Sequence, residues 1–371
     1  VLVRLNGAKK DYAWGSSELI PDYFGWPKSD SPIAEIWFGT HPMGESTIDS
    51  GAKLSELVKK PLGYLVKLLS AKSPLSIQVH PNPEQAIAGF ERENRLRIDL
   101  SDPLRNYKDR SHKPEILVAL TPFEALCGFR PKAELTQILK EFAASDKEFS
   151  ALAELFASKG LAALFEKIIA SSDLAARFSE IEFGLLSPET ESARKLALQL
   201  LDQYPGDSGA LVALLLNHVN LTAGEAIFLP AGNAHAYLSG LGVEVMAASD
   251  NVIRGGLTPK HIDRAELMKI VDFSELAEPK VKVRKLATGL IEYPVSVSDF
   301  RVYRAEVSST NLLADLDLTG PVMVLCNLGQ VAVSTSLEER EVLSASEVLY
   351  CQGAKKLSLS GSGSVFLIFG D

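Results

Sequence analysis

Cysteine, histidine and long apolar runs are all scarce in this chain, and each scarcity narrows what the protein can be. Only three cysteines occur in 371 residues, Cys127, Cys326 and Cys351. They lie far apart, without the spacing of a thiolate metal site or a disulfide framework, so reduced thiols and a cytoplasmic location are expected. No run of about 20 apolar residues, signal peptide or lipidation pattern is legible, so no membrane span or membrane partner is expected. The sequence begins with Val1 rather than Met, so a few preceding residues are expected. Positive charge is in deficit as well: 38 Lys and Arg stand against 47 Asp and Glu, a formal charge of −9. Binding a phosphate backbone needs a basic surface, which argues against nucleic acid as a partner. A single bound phosphate would have to be met by a local cluster of cations. No apolar heptad stripe suggests a coiled coil, and a monomer is expected.

What is present is ample core material. At 46% hydrophobic residues, the chain is long enough for two or three domains with full cores. Residues 1–130 mix short strand-like runs with Gly and Pro turns and one charged, helix-like stretch from Pro83 to about Arg97. From Pro131 to about Tyr204 the apolar spacing changes to three and four, in AELTQILKEFAA, FSALAELFASKGLAALFEKIIA and ESARKLALQLLDQY, which predicts helices. YPGDSG then closes the helical segment and strand texture resumes. A short helix is predicted near HIDRAELMKIVDF, and from about Pro279 onward short strands alternate with turns such as NLGQ and SGSG, as in a second barrel or sandwich. The expected division is 1–130 with 205–275, a helical insert at 131–204, and a C-terminal β domain at 276–371. The segment 344–359 is read as a degenerate relic of the turn at 224–238.

The six histidines, His41, His80, His112, His218, His235 and His261, all precede residue 262, so the C-terminal domain is expected to hold no matching metal site. In GEAIFLPAGNAHAYL, residues 224–238, Gly224 and Glu225 make a tight reversal, Ala226 to Leu229 form a short buried strand, and Pro230, Ala231 and Gly232 turn the chain. His235 then opens the next strand, facing inward. In LSIQVHP, Gln78 and His80 sit two apart, so a strand puts both on one face together with Ser76, while Ile77 and Val79 point into packing. A lone histidine in an apolar strand is ordinarily a satisfied core residue; convergence with other ligands reverses that. Glu115, after Pro114 and at the start of Ile116, Leu117 and Val118, is a carboxylate entering an apolar run, and it needs a partner there. Gln78, His80, Glu115 and His235 make a mixed nitrogen and oxygen set without thiolate. That set suits one Zn²⁺, with Fe²⁺, Mn²⁺ or Co²⁺ as substitutes, and its lack of cysteine favours a centre with a position left for water or substrate.

The spacing G-x5-P-x-G-x2-H resembles the second sequence motif of the cupin superfamily. Two longer motifs, YKDRSHKPE at 107–115 and HAYLSGLGVEVMAASDNVIRGGLTPK at 235–260, resemble the type I mannose-6-phosphate isomerases. The family pattern has Asn at Ser111 and Ala at Gly255. YAWG at 12–15, AEIWFGTHP at 34–42 and LSIQVHP at 75–81 extend the resemblance from the N-terminus to about residue 265. It implies a mainly β chain with a helical insert, built on cupin jelly-roll barrels, one catalytic and one degenerate at the C-terminus. It also implies a zinc-dependent aldose–ketose isomerase that interconverts mannose 6-phosphate and fructose 6-phosphate through a cis-enediol.

That reaction needs stabilised negative charge on the enediol oxygens, a proton shuttle between C1 and C2, and a cationic grip on phosphate. Lys113 and Arg254 are the leading cations, since each lies in a long motif near a metal-ligand strand. Lys67 and Ser76 resemble the family's phosphate-contacting positions, and Arg254 the arginine treated there as catalytic; otherwise Arg254 would pair with Asp250 or Glu244. For the shuttle the order is His112, Glu244, then a metal-bound water. Tyr237, two residues after His235, is read as either a cleft residue or a core tyrosine. His41 and His261 are read as structural or surface residues, and His218 as a strand or turn residue near the barrel. The rival readings are a non-enzymatic sugar-binding cupin, a cupin dioxygenase holding Fe²⁺, and an isomerase of a different phosphosugar, which Ser111 and Gly255 would permit.

Overall fold

A computed structural model describes residues 1–171 and 173–370. Among these residues the chain is mainly β: two ten-stranded sheets with antiparallel ladders, joined by helices.

One sheet is organised around the long strand His235–Ala247. Its first residues pair with Ile77–Val79 and Phe123–Phe129, and its second half with Tyr64–Ala71 and Glu115–Ala119. Partners change at a register shift between Tyr237 and Ser239, beside Gly240. Gly240 has φ 122°, and a Cβ there would lie 2.7 Å from the Pro122 carbonyl oxygen and 2.8 Å from Phe123 Cα. Glycine is what lets the strand bend so closely against its neighbour. Outward from this axis, Ala226–Leu229 pairs with Glu115–Ala119, Glu35–Phe38 with Tyr64–Ala71, and Ile253–Gly256 with Ile77–Val79.

Period-two alternation sorts the side chains between two buried faces. Tyr64, Val66 and Leu68, with Ile116, Val118, Val243 and Val245, enter a core shared with the other sheet. The intervening residues Leu65, Leu69 and Ala71 face the other way, among Trp37, Leu117, Met246 and Tyr237. Lys67 belongs to that second face and is the only charge in this buried strand.

The segment predicted as helical forms Lys132–Ala143, Lys147–Ala170, Leu174–Glu180 and Pro188–Gln203. The run around FASKGLAAL is interrupted at Gly160, whose φ of 80° and ψ of −171° leave the helical region and kink the chain. Leu135, Leu139, Phe142, Phe149, Phe165 and Leu200 of these helices share one core with Ile77, Val79, Leu126 and Ala236. The helices therefore brace the outer side of the strands that carry Gln78, His80 and His235. Pro83–Arg95 starts on an Asn82–Gln85 capping box and Arg264–Ile270 on the Asp263 side chain, both near the predicted places.

The other sheet runs in the order Arg284–Ala287, Leu290–Tyr293, Phe300–Val307, Lys356–Gly370, Val322–Thr335, Val348–Cys351. Val, Leu, Ala and Cys side chains fill its inner face. The ladder continues past Val348–Cys351 into Leu2–Asn6, with Leu2 opposite Cys351 and Leu5 opposite Val348. The first strand of the chain thus joins the C-terminal sheet, and Thr47–Ile48 pairs on its far side.

Candidate metal centre

The ends of three strands converge on one point. His235 opens its strand opposite Gln78, and Glu115 opens Glu115–Ala119, whose register places it against both Leu229 and Met246. His80 follows Ile77–Val79 directly. One ligand atom from each of His80, Glu115 and His235 lies within 4.8 Å of the others, and among the described residues no other group of His, Cys, Asp and Glu does this. Glu115 Oε2 is 3.4 Å from His80 Nε2 and 3.4 Å from His235 Nε2.

Backbone carbonyls fix both imidazoles. His80 Nδ1 donates to the Asn251 carbonyl at 2.8 Å, and His235 Nδ1 to that of Asn233 at 3.0 Å. With the proton on Nδ1, each Nε2 presents its lone pair to the shared point, the arrangement a metal-ligating histidine requires. His80 Nε2 is buried with no hydrogen-bond partner. A buried acceptor left open is costly, and a cation at this point would satisfy it. Gln78 lines the same cavity; its amide nitrogen donates to Ser76 Oγ at 3.5 Å, which leaves the amide oxygen free.

The electrostatics also favour a cation. The cavity, about 50 Å³ in volume, is lined by Glu35, Glu115 and Glu244 against Lys67 and Lys113. With both imidazoles neutral, three carboxylates against two ammonium groups leave one negative charge without a counter-ion. Burial pushes the His80 imidazole down to about 4, against the pull of Glu115. Burial pushes the Glu115 carboxyl up, but Lys113, at 3.0 Å, and the two histidines outweigh it and hold it well below the usual range. Glu244 is raised, by burial first and then by the nearby carboxylates of Glu115 and Glu35, although Lys67 opposes this. Lys67 itself is raised: burial works against its charge, and Glu244, Glu35 and Glu115 overcome it. Its ammonium sits 2.8 Å from Glu244 and 3.5 Å from Glu35, and Glu35 also accepts from Trp37 Nε1 at 2.7 Å.

Of the residues singled out from sequence, Gln78, Glu115, His235, Ser76, Lys67, Lys113, Glu244 and Tyr237 line this one cavity, and His80 sits against its Glu115 and His235. Tyr237 donates to Glu244 at 2.8 Å. Arg254 pairs in register with Gln78 and so shares its face. It is half-buried, and among the described residues it forms no ion pair, neither with Asp250 nor with Glu244; burial pulls its guanidinium down. His112 is not in the cavity wall. It lines a separate cleft of about 740 Å³ with His41 and Asp250, and its Nε2 is 2.7 Å from Asp299. His41 pairs with Asp250 at 3.3 Å and His218 with Glu124 at 2.7 Å, while His261 is an exposed loop residue. Glu35 and Asn251 were missed as site residues. Glu35 carried the same signal as Glu115, a carboxylate inside an apolar run, whereas Asn251 in a loop carried none.

The family profile described as phosphomannose isomerase type I, catalytic domain, matches residues 2–132. The mannose-6-phosphate isomerase of Escherichia coli is 36% identical over 320 residues, covering 80% of this chain and 82% of that protein. The one from Salmonella typhimurium is 32% identical over 384 residues, covering 97% of each. A solved structure of mannose 6-phosphate isomerase in a zinc-bound holo form is similar with a TM-score of 0.87 at 30% identity, covering 100% of this chain and 99% of that one. With likeness of this extent in both sequence and fold, the chain belongs to the type I phosphomannose isomerase family.

Proposed function

We propose that this protein is a zinc-dependent isomerase that interconverts D-mannose 6-phosphate and D-fructose 6-phosphate through a cis-enediol. The observation that carries the reading is the orphaned His80 Nε2 facing Glu115 and His235 in a cavity that also holds Lys67, Lys113 and Glu244. Gln78, His80, Glu115 and His235 are the residues that would hold one Zn²⁺, and the donor set fits that ion. When bound, the metal supplies Lewis-acid stabilisation of the charge that develops on the sugar oxygens.

The chain's own groups divide the remaining work. Glu244 is preferred as the carboxylate that takes the proton from C2 and returns it at C1, because it faces the metal-ligand cavity and burial brings it closer to neutrality. Lys67 offers the neighbouring positive charge and Tyr237 orients the carboxylate. His112 is the alternative shuttle, in a separate cleft where Asp299 holds its ring. Lys113, Ser76 and Lys67 are proposed phosphate contacts. Arg254, a cation without a partner among the described residues, is suited to clamp an anionic substrate group.

The same reading makes the sheet around His235–Ala247 a cupin barrel and the C-terminal sheet a degenerate second one, whose apolar interior and lack of histidine leave no room for a metal site. It divides the chain into 1–130 with 205–275, the helical insert 131–204, and 276–371, with strand Leu2–Asn6 lent to the last. A monomer in the cytoplasm is proposed; three free, buried cysteines support a reducing compartment, and no helix among the described residues is long and apolar enough to cross a membrane. The test is a coupled assay for fructose 6-phosphate formed from mannose 6-phosphate, before chelation, after it, and after Zn²⁺ is restored. Activity lost and regained in step with zinc is expected; a folded, zinc-loaded sample with no turnover would overturn the assignment.

A further inference from the structure

Asn251 is fully buried, and each of its polar groups is used. Its carbonyl accepts from His80 Nδ1 at 2.8 Å. Its side-chain oxygen accepts from the backbone N–H of Lys108 at 2.7 Å and of Asp109 at 3.2 Å. Its side-chain nitrogen donates to the Asp109 carbonyl at 2.9 Å, to Asp109 Oδ1 at 3.2 Å and to the Ser111 carbonyl at 2.8 Å. Its own N–H donates to Ser249 Oγ at 3.2 Å, and that hydroxyl donates in turn to Asp109 Oδ1 at 2.9 Å and the Ser111 carbonyl at 3.1 Å. One residue therefore holds a metal-facing imidazole with its main chain and the segment 108–111 with its side chain. That segment leads directly into His112, Lys113 and Glu115.

We infer that Asn251 is a positioning residue that couples occupancy of the metal centre to the seating of segment 107–113. A ligating histidine keeps its orientation through the acceptor on its other ring nitrogen, and losing such an acceptor costs about 10–100-fold in metal affinity. Here that acceptor is the backbone of the residue that clamps the segment. A metal that fixes His80 thereby favours the clamped segment, and by linkage the clamped segment favours the metal. Asn suits the position because only a side chain with both an amide donor and an acceptor answers two N–H groups and two carbonyls at once. Aspartate has the shape but would place a second carboxylate against Asp109.

The inference rests on the metal-centre reading, and the test separates the two. Zinc affinity is measured by competition with a chromophoric chelator on the full chain and on Asn251→Ala and Asn251→Asp. Backbone hydrogen exchange of residues 107–113 is followed in the unsubstituted protein with and without Zn²⁺. Both variants keep the main-chain carbonyl that accepts from His80 but release it from the side-chain clamp, so zinc should bind more weakly, by up to the roughly 10–100-fold that outright loss of such an acceptor costs. Removing zinc from the unsubstituted protein should speed exchange at Lys108 and Asp109 at least several-fold, while amides in the C-terminal sheet stay unchanged. Folded variants with undiminished zinc affinity would overturn the coupling, as would exchange at 107–113 indifferent to zinc. The exchange measurement decides even if neither variant folds. A full chain that takes up no zinc at all would instead defeat the metal-centre reading itself.

Discussion

At the scale of single residues, the site is a buried set of charges in which no group keeps the environment it would have in water. Glu35 illustrates how a residue outside the metal's reach can tune the chemistry. Its carboxylate sits beside Lys67 and is among the charges that raise Glu244. A base must be deprotonated to act, so under the proposal that Glu244 is that base the acid limb of the pH profile for kcat/KM reports its carboxyl in the free enzyme. Replacing Glu35 by Gln removes one negative neighbour, which lowers the Glu244 value, and the acid limb should move toward lower pH. Profiles of the two proteins with zinc saturating would show it. A shift in the opposite direction, or none, would mean that Glu35 does not sense the working base. Glu244→Gln should instead reduce kcat, by roughly 100-fold or more if Glu244 carries the proton, and leave zinc uptake intact. His112→Gln with near-normal kcat in the same assay would support Glu244 over His112.

At the scale of elements, strand His235–Ala247 carries the design, because one half of it delivers His235 and the other half delivers Glu244. The bend at Gly240 keeps those two faces turned to one cavity. Gly240→Ala would force a left-handed-region φ on a residue with a Cβ and press that Cβ on the chain at Pro122 and Phe123. A destabilisation of roughly 1–3 kcal/mol in urea unfolding is expected, with weaker zinc binding as His235 and Glu244 lose their common aim. A contrasting case is Asp146, which accepts from Glu148 and Phe149 at the start of Lys147–Ala170 and pairs with Arg177 at 2.6 Å. Asp146→Ala should cost about 1 kcal/mol in stability and leave zinc affinity and kcat unchanged, since that helix only braces the outer face. The sequence was most legible at this scale. Period-two faces put Gln78 and Ser76 together, the 3.6-residue spacing marked the helices, and GEAIFLPAGNAHAYL showed where His235 begins its strand. The strand's change of partners was not legible, since a ladder's neighbours depend on residues over a hundred positions away. For the same reason the pairing of His112 with Asp299 and the isolation of Arg254 could not be read in advance: an ion pair is a property of the folded neighbourhood, not of spacing along the chain.

At the scale of the whole molecule, the two sheets share one core. Tyr64, Val66, Leu68, Ile116 and Val243 of the metal-bearing sheet share a core with Tyr293, Phe300, Val302, Met323, Phe366 and Ile368 of the other. The first strand of the chain belongs to the C-terminal sheet, and Asp299 reaches back to His112. Those inward faces alternate with the site faces on the same strands, so damage to the shared core transmits through Tyr64–Ala71 and His235–Ala247 to Lys67 and Glu244 on their reverse sides. Phe366 tests this because it is buried in that core, lies on the C-terminal sheet, and does not line the cavity of the candidate metal centre. Phe366→Ala should cost about 3–5 kcal/mol in chemical unfolding, with probes in both sheets still changing in one coincident transition. Added zinc should restore part of the loss, because a ligand held at 100 times its Kd stabilises the folded form by about 2.7 kcal/mol wherever in that form the damage lies. Two separate transitions, with zinc raising only the one that reports on His235, would show instead that the sheets fold independently and that the shared core is an adhesive surface between separate domains.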